Sequence, residues 1–257
     1  MTPAGARAFL ALWNSIDTPA LQPEYETWHA FEHVPERVGL PGFIEARRYR
    51  CEGPGPGGAA MYFTCYWLDA IAALDSDDYH QVFAQPTAWT ARLRGHLSEF
   101  FRLPCVLRGS HGQSSASQLA CLHLRGDLQA LAPVLEQALD QAVQRGDLVC
   151  AQWGAFAQTQ AIPIANRAGA QPAPAPGQDC VLMLQGLDGA ALARQAQVLA
   201  YTLSPLARVA RGPELFALQS VVRQDALLQR PPARQPPRPE LMQLFESRVA
   251  HQKGDPS

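Results

Sequence analysis

Between Tyr25 and Tyr49 the chain reads Tyr-Glu-Thr-Trp-His-Ala-Phe-Glu-His-Val-Pro-Glu-Arg-Val-Gly-Leu-Pro-Gly-Phe-Ile-Glu-Ala-Arg-Arg-Tyr. Trp28, His29, Glu32, His33 and Arg37 fall within about three helical turns of it. Residues four apart lie side by side on a helix, so His29 and His33 share a face. An imidazole with an intrinsic pKa near ~6.5 can give or take a proton around neutrality, which makes His33 the first candidate for a general acid or base. His29, one turn earlier, could share a substrate with it, and Glu32 could orient a histidine. Trp28 reads as core or pocket wall. The letters His29-Ala30-Phe31-Glu32-His33 also match the inverted zinc-protease pattern, in which two histidines bind zinc and the adjacent Glu activates water. The context is wrong for it: the ring of Pro35 opposes the carbonyl of Phe31, so the helix should kink or end where a zinc helix must be rigid. No later segment offers a third ligand, and no metal site is expected.

The elements that must position these groups follow from periodicity and breakers. Phe9 to Ile16 is apolar with a single polar interruption at Asn14 and reads as a buried strand; a helix from Pro23 to about Val38 follows. The Pro41-Gly42 turn opens a strand from Phe43 to Cys51, on which Arg47 and Tyr49 share a face. If that face lines a ligand cleft, the pair could hold an oxyanion or enolate; if it lies at a barrel interface, Arg48 faces the helices instead. Glu52 to Gly58 is a breaker-rich loop. On the strand from Met61 to Leu68, Tyr66 and Trp67 alternate, so only one looks into a given cavity; Tyr66 is the substrate-binding candidate. A helical region from Asp77 to Leu97, interrupted near Pro86, precedes a strand from Glu99 to Leu107. Asp77 and Asp78 read as capping charges, and His80 as a surface residue.

The same order then repeats. Ser117–Leu124 reads as a strand, 128–144 as an amphipathic helix, 148–158 as a strand, 168–177 as a loop, 180–185 as a strand, 190–209 as a helix and 214–222 as a strand. Two βαββαβ units of roughly a hundred residues each make a ferredoxin-like duplication, joined by a Ser/Gly linker at 109–116. The expected fold is thus α+β: tandem ferredoxin-like units at 1–109 and 117–225, packed sheet to sheet as an intramolecular barrel. Each unit has both helices on one side of its sheet, and the bare face would cost roughly 25 cal/mol per Å² of apolar surface left wet. Residues 226–257 form a Pro/Arg-rich tail expected to be extended and mobile, with Leu241, Leu244, Phe245 and Val249 at helical spacing.

The 257 residues carry 47% hydrophobic and 17% charged side chains, in the range of globular proteins. A net charge of −2 gives no electrostatic pull toward nucleic acid or an anionic membrane. Lys253 is the only lysine. The six cysteines are scattered singly, without a Cys-x-x-Cys, and no export signal or ~20-residue apolar run is present, so reduced thiols and a cytoplasmic location are expected. No phosphate loop or Gly-x-Gly-x-x-Gly fingerprint calls for a nucleotide cofactor.

The run Trp28…Glu32-His33-Val34-Pro35-Glu36-Arg37…Leu40-Pro41-Gly42-Phe43…Ala46-Arg47-Arg48-Tyr49 resembles EthD-like members of the dimeric α+β barrel superfamily. The resemblance covers about residues 8 to 107, and over 117 to 223 it is architectural. It implies a barrel in which this helix roofs a ligand cleft, with His33 carried over from the family's Glu-His pair. The superfamily's cofactor-free monooxygenases, lactone isomerases and cyclases imply proton transfer by His33, with no cofactor, on a small hydrophobic carbonyl or phenolic compound. Its haem enzymes imply an alternative in which His123, on a strand of the second unit, would be the axial ligand. A non-catalytic carrier of an apolar ligand is the third reading. A second copy of the chain is a candidate partner, and a bacterial catabolic setting fits by analogy.

Overall fold

The computed structural model describes residues 1–53, 59–164, 173–230 and 232–253, with side chains through Glu246. Residues 54–58 and 168–172 of the expected loops, and the Val249 side chain, lie outside that description. The first half runs β1 (Ala8–Ile16), α1 (Gln22–Trp28), α2 (Val34–Val38), β2 (Phe43–Cys51), β3 (Met61–Leu68), α3 (Asp77–Ala84), α4 (Ala88–Arg94) and β4 (Leu97–His111). The second runs β5 (Gln118–Gly126), α5 (Leu128–Gln144), β6 (Cys150–Phe156), β7 (Asp179–Gly186), α6 (Gly189–Leu203) and β8 (Ala207–Arg223), and α7 (Pro239–Lys253) ends the description.

The strands close into one antiparallel barrel in the order β1-β3-β2-β8-β5-β7-β6-β4. Within it the order 4-1-3-2 of the first half recurs as 8-5-7-6 in the second, so the tandem duplication is real in the topology. Two seams, β2 with β8 and β4 with β6, join the halves by hydrogen bonds and leave no open sheet edge. Strand alternation then divides the side chains. Phe9, Ala11 and Trp13 of β1 point into the barrel with Phe63, Trp67, Phe101, Leu103, Met183 and Phe216. The intervening positions, such as Leu10, Tyr66 and Leu68, face the helices.

Three boundaries differ from the sequence reading. The helix expected to reach Val209 stops at Leu203, because Ser204-Pro205 breaks it and frees Val209 for β8. β4 runs on through His111, because pairing with β6 carries 109–111, expected as linker, into the sheet. Pro35 neither ends nor breaks its helix. Residues His29–His33 form a π turn, in which the Val34 N–H reaches the His29 carbonyl five residues back, and this wider turn joins α1 to α2 around the proline. Gly42 then turns the chain into β2 with φ +82°, where a Cβ would come within 2.6 Å of the Ala73 Cβ.

The tail lies against the first half. Just before it, Gln224 Nε2 donates to the Val38 and Leu40 carbonyls at 3.1 and 3.0 Å, and within it the Ala233 N–H donates to the Gly39 carbonyl at 2.8 Å. Leu241, Met242 and Phe245 of α7 pack on the cluster of Tyr25, Trp28 and Trp89. All six cysteines are free thiols. Among the described residues no helix is long and apolar enough to cross a membrane.

Candidate functional site

The α1–π turn–α2 segment is fastened from behind so that its inner face meets the sheet. Glu24, buried on α1, accepts from Trp89 Nε1 at 3.0 Å and from Arg92 at 2.8 and 3.1 Å, which ties α1 to α4. Trp28 Nε1 donates to Thr90 Oγ1 at 3.3 Å. Glu32 accepts from Thr87 Oγ1 at 2.6 Å and from the Arg238 N–H at 2.7 Å. Its carboxylate is thus spent on α4 and the tail and does not orient either histidine.

On the inner side, Trp28, His29 and His33 line a narrow cleft against β1, β3 and β4, with about 40 Å³ of enclosed space. Tyr25, Tyr66, Phe43, Tyr79, Phe83 and Phe100 supply aromatic walls, and Asn14, Arg37 and Arg102 the polar ones. The rings are close: His29 and His33 stack with centroids 5.1 Å apart, and Trp28 lies 4.2 Å from His33. His29 is 3% exposed. Nδ1 of both histidines and Oδ1 of Asn14 are buried without a hydrogen-bond partner, as are side-chain atoms elsewhere, among them Trp13 Nε1, Thr64 Oγ1 and the Gln152 amide.

The electrostatics follow from burial and neighbouring arginines. His29 sits well below the usual imidazole range, first because it is desolvated and then because Arg48 and Arg37 repel its proton. His33 is lowered by burial and by Arg37. Both are neutral at pH 7. Arg37 donates to Glu36 at 2.7 Å and to the His33 carbonyl at 3.1 Å, and Arg234 of the tail donates to Glu36 from the other side at 2.7 Å. One carboxylate therefore faces two guanidiniums. Arg48 lies over the Tyr62 and Tyr25 rings at 4.2 and 5.2 Å. Burial raises Tyr66, so its phenol stays protonated and can donate. The cleft is apolar, positively biased and equipped with two neutral bases.

Of the sequence candidates, the structure brings His33, His29, Trp28 and Tyr66 together and leaves out three. Glu32 is turned away as described. Arg47 and Tyr49 face the barrel interior, the other of the two arrangements the alternation allowed: Arg47 pairs with Glu45 at 2.6 Å and donates to the Met1 carbonyl at 2.9 Å. Arg48 accordingly faces the helices. Trp67 looks into the barrel while Tyr66 looks into the cleft. The missed cleft residues include Asn14, whose signal was its polar interruption of an apolar strand, and Ile162 and Ile164, which gave none.

The alternatives in metal chemistry fare differently from the histidine cleft. Among the described residues no group of three His, Cys, Asp or Glu side chains is arranged to hold a metal ion. His123 does not fit an axial haem ligand. It is 1% exposed in the barrel interior, Phe101 lies 5.5 Å from its ring, and its Nε2 is 2.6 Å from Asp179 Oδ1. Asp179 would be raised by burial, but hydrogen bonds from His123, Arg125 and the Ala175 N–H bring it down to about 2.

No family model matches the sequence, and no curated protein matches it. Solved structures do match in shape. An anthrone oxidase-like protein superposes with a TM-score of 0.59 at 7% identity, over 89% of this chain and 98% of that one. A presumed monooxygenase of Fusobacterium nucleatum subsp. nucleatum gives 0.54 at 7% identity, over 85% and 95%. One from Lactobacillus acidophilus NCFM gives 0.51 at 7% identity, over 85% and 97%. At such identities the likeness is one of fold, and the fold is the α+β barrel of these proteins, built here from two ferredoxin-like halves of one chain.

Proposed function

We propose that the chain is a small-molecule enzyme in which His33 takes a proton from a hydrophobic phenol or keto-enol compound, and that the resulting anion is oxidised by dioxygen without a resident cofactor. The observation that carries this reading is the pair of neutral imidazoles, His29 buried and His33 half-buried, each with an unpartnered Nδ1, in an aromatic cleft beside Arg37 and Arg48. A neutral imidazole offers one lone pair to an acidic proton. Burial first and the neighbouring guanidiniums second keep both histidines neutral; those guanidiniums favour an anion formed within the cleft, and that anion in turn stabilises the imidazolium it creates. An electron-rich carbanion or enolate can then reduce dioxygen itself. For a methylene compound, R₂CH₂ and O₂ give R₂C=O and water, so no further oxidant is required. Aromatic walls hold the substrate and exclude water. The names of the structurally similar proteins, an anthrone oxidase-like protein and two presumed monooxygenases, favour oxygenation over isomerisation or cyclisation.

The test is oxygen uptake and product mass by purified protein on a panel of anthrone, naphthols and cyclic 1,3-dicarbonyls, with wild type beside His33→Ala. Turnover should fall by ~10²–10⁴ in the variant while ligand affinity stays within about tenfold. Ligand binding without turnover in the wild type would make the protein a carrier, and equal turnover in both proteins would remove His33 from the chemistry.

A further inference from the structure

The second half reaches into the cleft of the first. After β6 ends at Phe156 the Ala157 N–H continues its pairing with β4, donating to the Pro104 carbonyl at 3.0 Å, and residues 158–164 then cross onto the first half, where the Gln160 N–H donates to Asp75 Oδ1 at 2.7 Å. Beyond these anchors Ile162 and Ile164 are half-buried against the apolar clusters of the first half, and neither belongs to the core of the second. Both line the histidine cleft. With Arg102 they also line a more open groove of about 230 Å³, bounded by Pro104, Phe156 and Pro174. Arg102 and the two isoleucines are therefore the wall between two spaces, and the isoleucines are its apolar part. Surface loops are ordinarily polar, and here β-branched apolar side chains are carried across the molecule to face a cavity that their own half does not form.

We propose that Ile162 and Ile164 are specificity-determining residues, the apolar end wall that sets how long a ligand the histidine cleft accepts. The inference rests on reading the cleft as a ligand site and is independent of proton transfer. A ligand places its acidic end at His29 and His33, and its apolar end stops at the isoleucines. Trimming both to alanine joins the cleft to the outer groove and admits roughly one more ring. Asp75 is a positioning residue: it touches no ligand and holds the segment down through Gln160.

The experiment is titration of benzene, biphenyl, phenol and 4-phenylphenol into wild type, Ile162→Ala/Ile164→Ala, Asp75→Ala and His33→Ala, with circular dichroism reporting the fold. The ratio of biphenyl to benzene affinity should rise at least tenfold in the double variant and about threefold in Asp75→Ala, which leaves the lining intact and stands in if the double variant does not fold. A ratio within twofold of wild type in both variants overturns the wall. If the ratio shifts while phenol binds no better than benzene and His33→Ala changes nothing, the wall stands and the proton-transfer reading falls. Failure of the wild type to bind any of the four probes overturns both.

Discussion

The two halves share a topology and differ in what lies between helices and sheet. In the second, Leu131, Leu135 and Leu139 of α5 and Leu192, Ala196, Leu199 and Leu203 of α6 close on Leu122, Leu124, Leu182 and Leu184. In the first, the corresponding layer holds His29, His33, Arg37, Arg48, Asn14 and Tyr66. Unpartnered polar groups destabilise a fold, by about 1–3 kcal/mol each where they are neutral. A lone unit carrying the first layer would bear that cost with little in reserve. Joined by two hydrogen-bonded seams to a unit with an aliphatic layer, it can keep polar groups that pack poorly, as the proposed site requires. Duplication thus separates holding the barrel together from equipping the site.

The largest effect that tests this division is at His33. Its replacement by Ala should cost ~10²–10⁴ in turnover, whereas His33→Leu should abolish turnover and leave stability equal or up to about 1 kcal/mol higher in urea unfolding, because an unpartnered imidazole gives way to a side chain that packs. The mirror experiment is Leu135→Ala. That side chain is fully buried in the second layer, and its loss should cost about 2–5 kcal/mol, with turnover per folded molecule unchanged. A destabilising His33→Leu and a neutral Leu135→Ala would reverse the roles assigned to the halves.

The halves should also part company on acidification. His29 and His33 have folded pKa values below those of the unfolded chain, so the unfolded state protonates first. Stability from this source is complete above about pH 6.5 and is lost as pH falls from there toward the depressed values. Asp179, at about 2 against its ordinary 3.8, contributes roughly 2 kcal/mol that is complete above its ordinary value and lost between the two. Urea midpoints followed from pH 8 to pH 2 should fall in two stages. The upper stage should vanish in His29→Gln/His33→Gln, and the lower one should shrink in Asp179→Asn. A single stage below pH 4 would show the histidines not to be desolvated as the cleft requires.

Much of this architecture was legible because apolar runs, order and punctuation carry it. A nearly continuous apolar run gave β1 and aromatic, β-branched character gave β3, the repeat of element order gave the duplication, and Pro41-Gly42 marked the turn into β2. The histidine pair was legible for the same reason, since spacing of four on a helix is local information. What escaped was non-local. Whether Arg47 or Arg48 faced the cleft depended on which sheet face the second half would cover, and a one-residue register choice inverts that. Glu32 was read as a partner of histidine because its neighbours in sequence were visible, while Thr87 and Arg238, its partners in space, lay 55 and 206 residues away. The π turn that passes Pro35 through the helix has no composition signature, and Ile162 and Ile164 looked like any loop residues.

The tail supplies the smallest effect and the last asymmetry. The first half's helical segment has polar inner contacts and is covered from outside: Arg234 pairs with Glu36, the Arg238 N–H with Glu32, and Ala233 with the Gly39 carbonyl. The crossing is written into the sequence at Gly39, where a Cβ would meet the Ala233 carbonyl oxygen at 2.3 Å. Arg234→Ala should cost about 1 kcal/mol, a modest value because Arg234 is 30% exposed and Arg37 remains to pair with Glu36. The informative readout is ligand affinity at a temperature where both proteins are folded. If the tail only adds stability, affinity for 4-phenylphenol will be unchanged. If it holds the π turn that presents His29 and His33, affinity will fall two- to fivefold, and Gly39→Ala, which displaces the same crossing without removing a charge, will reproduce the loss.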